Sequence, residues 1–176
     1  MIWIPTAAFV AVMVLAMLWD VRTHRIPNRL TLAGLILGLA VQATLGWAAL
    51  GAGLLGGAIG LLFGLALFAM GGMGGGDAKL FAVVGAFMGP MGFLLALVAT
   101  ALVGGVLAVG VSLRRGVLLA VLLNTKDALI RALTLGRRGS AMTLDSPGAV
   151  TIPYGAAIAL GSIAAWFTLL NGGPLS

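Results

Sequence analysis

The chain has 176 residues, 61% of them hydrophobic and only 8% charged, with a mean hydropathy of +1.19. Ten basic and four acidic side chains could not clothe a soluble domain of this length, so the composition excludes an ordinary water-soluble globule and indicates one helical domain, residues 1–176, embedded in a bilayer. The basic residues stand at the ends of apolar runs rather than in a stripe with interleaved aromatics, which argues against nucleic acid as a partner despite a formal charge of +6.

The first apolar run, Ile2 to Trp19, carries no charge and is long enough for a membrane helix. Asp20, Arg22, His24, Arg25 and Arg29 follow it. That order is the reverse of a cleavable signal peptide, so the run is expected to persist as a span with the N-terminus outside. Pro27 and Asn28 favour a turn that starts the second helix. Leu30 to Trp47 and, after a charge-free turn near Gly46, Leu50 to Met70 read as the second and third spans. Glycines 51, 53, 56, 57, 60 and 64 of the third span would let helix backbones approach closely.

The glycine-rich segment Gly71 to Gly76 interrupts the pattern, and Asp77 and Lys79 follow it. The next apolar stretch, Leu80 to Leu113, is divided by Gly89-Pro90. Its first piece, Ala78 to Met88, rises about 16 Å. It cannot cross a bilayer alone unless the glycine segment also sits at membrane depth, lining a polar cavity. Residues 114–149 hold six basic residues, and a final apolar run goes from Val150 to Leu170. Within 114–149, Val117 to Leu135 has apolar residues at helical spacing and predicts an amphipathic helix on the membrane surface. The sum is an all-α polytopic protein with about six transmembrane helices. The loops at 20–29, 71–79 and 114–149 hold all ten Lys and Arg residues, which places them in the cytosol.

The reactive inventory is short. With no cysteine and one histidine, disulfides and Cys-ligated zinc are excluded and a His-based metal site is disfavoured; no metal and no cofactor are expected. Ser112, Ser140, Ser146 and Ser162 have no evident base partner, and there is no glutamate. Asp20 ends the first span and Asp77 starts the fourth segment, so both fall at the cytosolic edge of the bilayer and can meet. Two adjacent carboxylates do not both ionise readily; one keeps a proton while the other can take one from a water between them, which is the chemistry of peptide hydrolysis. Taken singly, Asp20 reads as an interfacial helix end and Asp77 as an N-cap. An ionisable group at membrane depth is a functional candidate by default.

The stretch Asp20-Val-Arg-Thr-His-Arg-Ile-Pro-Asn-Arg-Leu-Thr31, the segment Gly74-Gly75-Gly76-Asp77-Ala78-Lys79 and the element Ile152-Pro153-Tyr154-Gly155 together resemble the type IV prepilin peptidases, aspartyl membrane proteases of the GxGD type that include the archaeal preflagellin peptidases. The resemblance implies that Asp20 and Asp77 are catalytic. It also implies supporting roles around substrate for Gly74, Gly76, Lys79, Pro27, Asn28, Pro153, Tyr154 and Gly155. Glycines before Asp77 allow close approach of a substrate strand. Lys79 reads first as an interfacial anchor and second as a direct partner of Asp77; Arg22, His24, Arg25 and Arg29 read first as topology signals and second as candidates for contacting substrate.

The sequence lacks the long N-terminal cytosolic region with paired cysteines of larger bacterial members and is similar to the compact form associated with Flp-type (tight-adherence) pili. This implies proteolysis without N-methylation. The implied substrate is a prepilin with a short basic cytosolic leader and an apolar N-terminal helix in the bacterial inner membrane. Two other classes fit fewer of these features: a small proton-coupled transporter, for which no paired interrupted helices are visible, and a non-enzymatic scaffold of pilus or secretion assembly.

Overall fold

A computed structural model describes residues 3–114 and 154–172. The expected amphipathic helix over 117–135, and Pro153, lie outside the described residues. The chain divides into two units, Met1–Gly104 with Pro153–Ser176, and Gly105–Ile152. Of the second, only residues 105–114 are described, as the end of a helix.

The described residues form five helices: α1 (Trp3–Thr23), α2 (Asn28–Thr44), α3 (Trp47–Ala69), α4 (Gly75–Arg114) and α5 (Tyr154–Gly172). Four of them, all but the 17-residue α2, are long and apolar enough to cross a bilayer. Large apolar side chains such as Leu32, Ile36, Leu54, Leu62, Met91 and Leu102 stay exposed, a surface that suits lipid and not water. The protein is an all-α polytopic membrane protein. Both pieces expected at 78–88 and 90–113 are present, as the two halves of α4 on either side of an interruption.

That interruption falls where Gly89-Pro90 predicted it. Gly89 adopts φ 67° and ψ −177°, outside the helical region, and Pro90 lacks the N–H that would continue the ladder. From Asp77 to Gly89 every residue except Lys79 is buried, so the first half of α4 is enclosed by the other helices.

The inward faces of these helices are built largely from small residues. On α1 the buried positions are Thr6, Phe9, Val12, Met13, Ala16 and Asp20, a stripe at three- and four-residue spacing that carries Asp20 inward as its last member. On α2 they are Thr31, Gly34, Gly38 and Gln42, and on α3 they are five glycines, 53, 56, 57, 60 and 64. The α3 glycines meet α4 backbone to backbone: a Cβ at Gly64 would lie 2.6 Å from Ala78 Cα, and one at Gly60 would overlap the Phe81 carbonyl. Small residues are how membrane helices gain packing where water offers no driving force.

Two aromatic groups clamp the enclosed segment. Phe87 meets Phe9 of α1 at 5.2 Å between ring centroids, and Phe9 stacks on Trp166 of α5 at 4.8 Å. Lower in the segment, Phe81 meets Phe63 of α3 and Phe93 edge-on at 5.7 and 5.8 Å. Trp166 donates its indole N–H to Thr6 Oγ1 at 3.1 Å.

The connections among the first four helices are short. Leu45 and Gly46 join α2 to α3, with Gly46 at φ 116°, at the predicted turn. After α3, Gly71 takes φ 73°. Its N–H reaches Phe68 O at 2.9 Å and that of Gly72 reaches Leu67 O at 3.0 Å, the paired bonds of a Schellman ending.

Candidate active site

The site is assembled where α1 ends and α2, α4 and α5 begin. The chain leaves α1 through His24, whose N–H bonds Asp20 O at 2.8 Å and whose φ of 50° is unusual for a residue with a Cβ. The Thr23 hydroxyl lies 2.9 Å from both Trp19 O and Arg25 O, sharing one proton between them and fixing the turn. Ile26 is buried, and Pro27, with φ −62° and ψ 135°, N-caps α2. Its carbonyl accepts the N–H groups of Leu30 and Thr31. Pro27 therefore starts the second helix as expected.

Asp77 is the third residue of α4. It does not act as the N-cap: Gly74 holds that position, its carbonyl accepting the Ala78 N–H at 3.2 Å. Asp77 Oδ2 instead reaches back to accept the Gly74 N–H at 3.3 Å, the return half of a capping box. The glycines are thus used at different points. A Cβ at Gly76 would press on Ile26 Cβ at 3.1 Å, and one at Gly74 on Asp77 Oδ2 at 3.2 Å.

Asp20 and Asp77 are 5% and 8% exposed. Both line one cavity of about 340 Å³ together with His24, Arg25, Ile26 and Gly74 to Gly76. That volume is room for several waters or an extended stretch of chain, given about 30 Å³ per water. Asp20 Oδ2 and Asp77 Oδ1 are buried and make no hydrogen bond of good geometry, an arrangement that is costly in a protein core.

The first turn of α5 completes the wall behind Asp20. Gly155 and Ala156 turn their backbone N–H groups toward its carboxylate, and a Cβ on Gly155 would lie 2.8 Å from Asp20 Cγ and Oδ2. Tyr154, beside them, is partly exposed. Lys79 is not placed against Asp77. Its Nζ donates to Asn28 Oδ1 at 2.8 Å, tying the start of α4 to the start of α2.

The structure thus brings Asp20, Asp77, Gly74, Gly76 and Gly155 to one place and links Lys79 with Asn28 beside it. Two cavity residues, His24 and Arg25, were read from sequence as topology signals first and as substrate contacts second. For His24 a signal existed: it follows Asp20 by four residues, one helical turn on. Arg22 and Arg29 do not line the cavity.

No curated protein and no solved structure matches the chain. The model of the type IV leader peptidase family matches residues 7–109, a span that includes both aspartates and ends before α5. Since the match covers more than half of the 176 residues, the chain belongs to the type IV leader peptidase family.

Proposed function

We propose that the protein is an aspartyl endopeptidase of the bacterial inner membrane that removes the short cytosolic leader of a type IV prepilin, of the Flp kind, with Asp20 and Asp77 as the catalytic pair. Membership of the leader peptidase family makes it a peptidase. The observation that carries the finer reading is two buried carboxylates, from different helices, on the wall of a single cavity.

A pair sharing one proton can do the whole reaction. The ionised carboxylate takes a proton from water as the water oxygen adds to the scissile carbonyl. The protonated partner supports the oxyanion that develops. Collapse breaks the C–N bond, and a proton passes to the leaving amine. Gly74 to Gly76, without side chains, offer main-chain groups to an extended substrate strand.

The basic residues Arg22, Arg25, Arg29 and Lys79 stand at this end of the helices, which supports an orientation with the site cytosolic and the N-terminus outside. In that orientation the boundary between a prepilin's polar leader and its apolar helix falls at the aspartates. The whole of 1–176 then acts as one membrane-embedded peptidase domain with 114–149 as its cytosolic loop, in contact with lipid and prepilin.

The test is cleavage of a co-expressed Flp-type prepilin by the wild type, Asp20→Asn and Asp77→Asn at matched membrane levels. Both near-isosteric variants are expected to lose roughly 10³-fold or more in processing rate while still accumulating. Normal cleavage by either would remove that aspartate from the mechanism and bring a scaffold or transporter role forward.

A further inference from the structure

Asp20 is poorly placed by its own helix. It lies in the last turn of α1, where unpaired carbonyls leave a partial negative charge, and a second carboxylate lies beside it across the cavity.

The first turn of α5 supplies what α1 withholds. The N–H groups of Gly155 and Ala156 face the Asp20 carboxylate. They belong to the set that has no partner inside a helix and that gives a helix N-terminus its positive partial charge. The approach depends on position 155 being glycine, because a Cβ there would stand 2.8 Å from Oδ2 and 2.9 Å from Asp20 Cβ. The other titratable or charged side chains at the cavity are His24 and Arg25 in the α1–α2 turn and Asp77 on α4. On α5 the only titratable side chain is that of the partly exposed Tyr154.

We infer that α5 belongs to the catalytic machinery: its first turn seats the Asp20 carboxylate, with Gly155 as the positioning residue. This rests on the peptidase reading above, and it reaches beyond the matched family span of 7–109. Asp77 has a thinner supply, a single N–H from Gly74 at 3.3 Å.

Two variants test it. Gly155→Ala drives a methyl group into the Asp20 carboxylate. Replacing the amide that joins residues 155 and 156 by an ester, with lactic acid in place of Ala156, removes one facing N–H while keeping the side chain; no intrahelical bond is lost so near the helix start. Cleavage of a synthetic prepilin peptide by full-length protein in detergent is followed against pH. For both variants kcat is expected to fall about tenfold or more with KM little changed, and the acid limb of the profile to move to higher pH by about one unit. Gly155→Ala that fails to accumulate leaves the decision to the ester. An ester variant with wild-type kcat and an unmoved acid limb overturns the inference. Cleavage by Asp20→Asn at the wild-type rate would instead overturn the peptidase assignment of Asp20, a separate failure.

Discussion

The two halves of α4 are alike in composition and opposite in surroundings. Between Asp77 and Gly89 only Lys79 is exposed. Beyond the break, Met91, Val98 and Leu102 are 72%, 59% and 67% exposed while Phe93, Ala96 and Thr100 turn inward, the one-sided pattern of a helix at a lipid boundary. Residues 75–88 rise only about 21 Å, less than the roughly 30 Å of a hydrocarbon core. A helix that short is stable at membrane depth when protein encloses it, and the glycine face of α3 does so. Apolarity therefore does not distinguish the two halves. Enclosure by small residues does, and the enclosed half carries Asp77 as its third residue.

Among the α3 glycines the tightest approach is at Gly60. Its Cβ would overlap the Phe81 carbonyl, whereas Gly57, three residues earlier on the same helix, offers 3.4 Å to Ala82 O and Gly51 meets nothing within 4 Å. Gly60→Ala is expected to cost about 3 kcal/mol, since backbone must move to admit it. Gly57→Ala is expected to be tolerated, and Gly51→Ala to be neutral or to stabilise by up to about 1 kcal/mol through helix propensity. Thermal unfolding in detergent, followed by tryptophan fluorescence, ranks the three. Equal midpoints would mean that α3 does not enclose the segment by backbone contact.

Gln42 comes next. Its side-chain amide donates to Phe87 O at 2.9 Å in a buried setting. Phe87 stands just before the break at Gly89, so its carbonyl is among those a helix end leaves without a partner. Gln42→Leu keeps the bulk and is expected to cost about 1–2 kcal/mol in the same assay. No loss would show that another group satisfies that carbonyl.

These positions also show where sequence reasoning reached and where it stopped. The break at Gly89-Pro90, the turn at Gly46 and the start of α2 at Pro27 were legible because each rests on a backbone rule local to one or two residues. Asp20 and Asp77 could be placed together because alternation of spans sends both to the same membrane face. Gln42 and the partner of Lys79 could not be found that way. The Gln42–Phe87 and Lys79–Asn28 pairs are 45 and 51 residues apart, and nothing local distinguishes a glutamine that caps a distant carbonyl from one at an interface. The α3 glycines announced close packing without naming its partner.

The Lys79–Asn28 bond sharpens the comparison from the exposed edge of the enclosed half. Both residues are exposed, so little stability rests on the bond. It nevertheless joins the helix starts that carry Asp77 and the α1–α2 turn. Lys79→Met is expected to lower kcat several-fold with the unfolding midpoint nearly unchanged, Asn28→Ala to do the same, and the double variant to lose no more than either alone. Additive losses would mean that the two residues act separately.

The smallest effect is expected in the other half. Val98 is exposed on the lipid side, where the surrounding hydrocarbon is as apolar as the side chain, so removing methyl groups forfeits little in a membrane. A soluble protein would offer no such test, since there the buried and exposed faces differ in polarity. Val98→Ala is expected to change stability by less than about 0.5 kcal/mol and to leave cleavage unchanged, whereas Val83→Ala, fully buried in the enclosed half, should cost about 1–2 kcal/mol through the cavity it leaves. Measured side by side, the pair separates burial from hydrophobicity: equal costs would mean that the two halves of α4 meet the same surroundings.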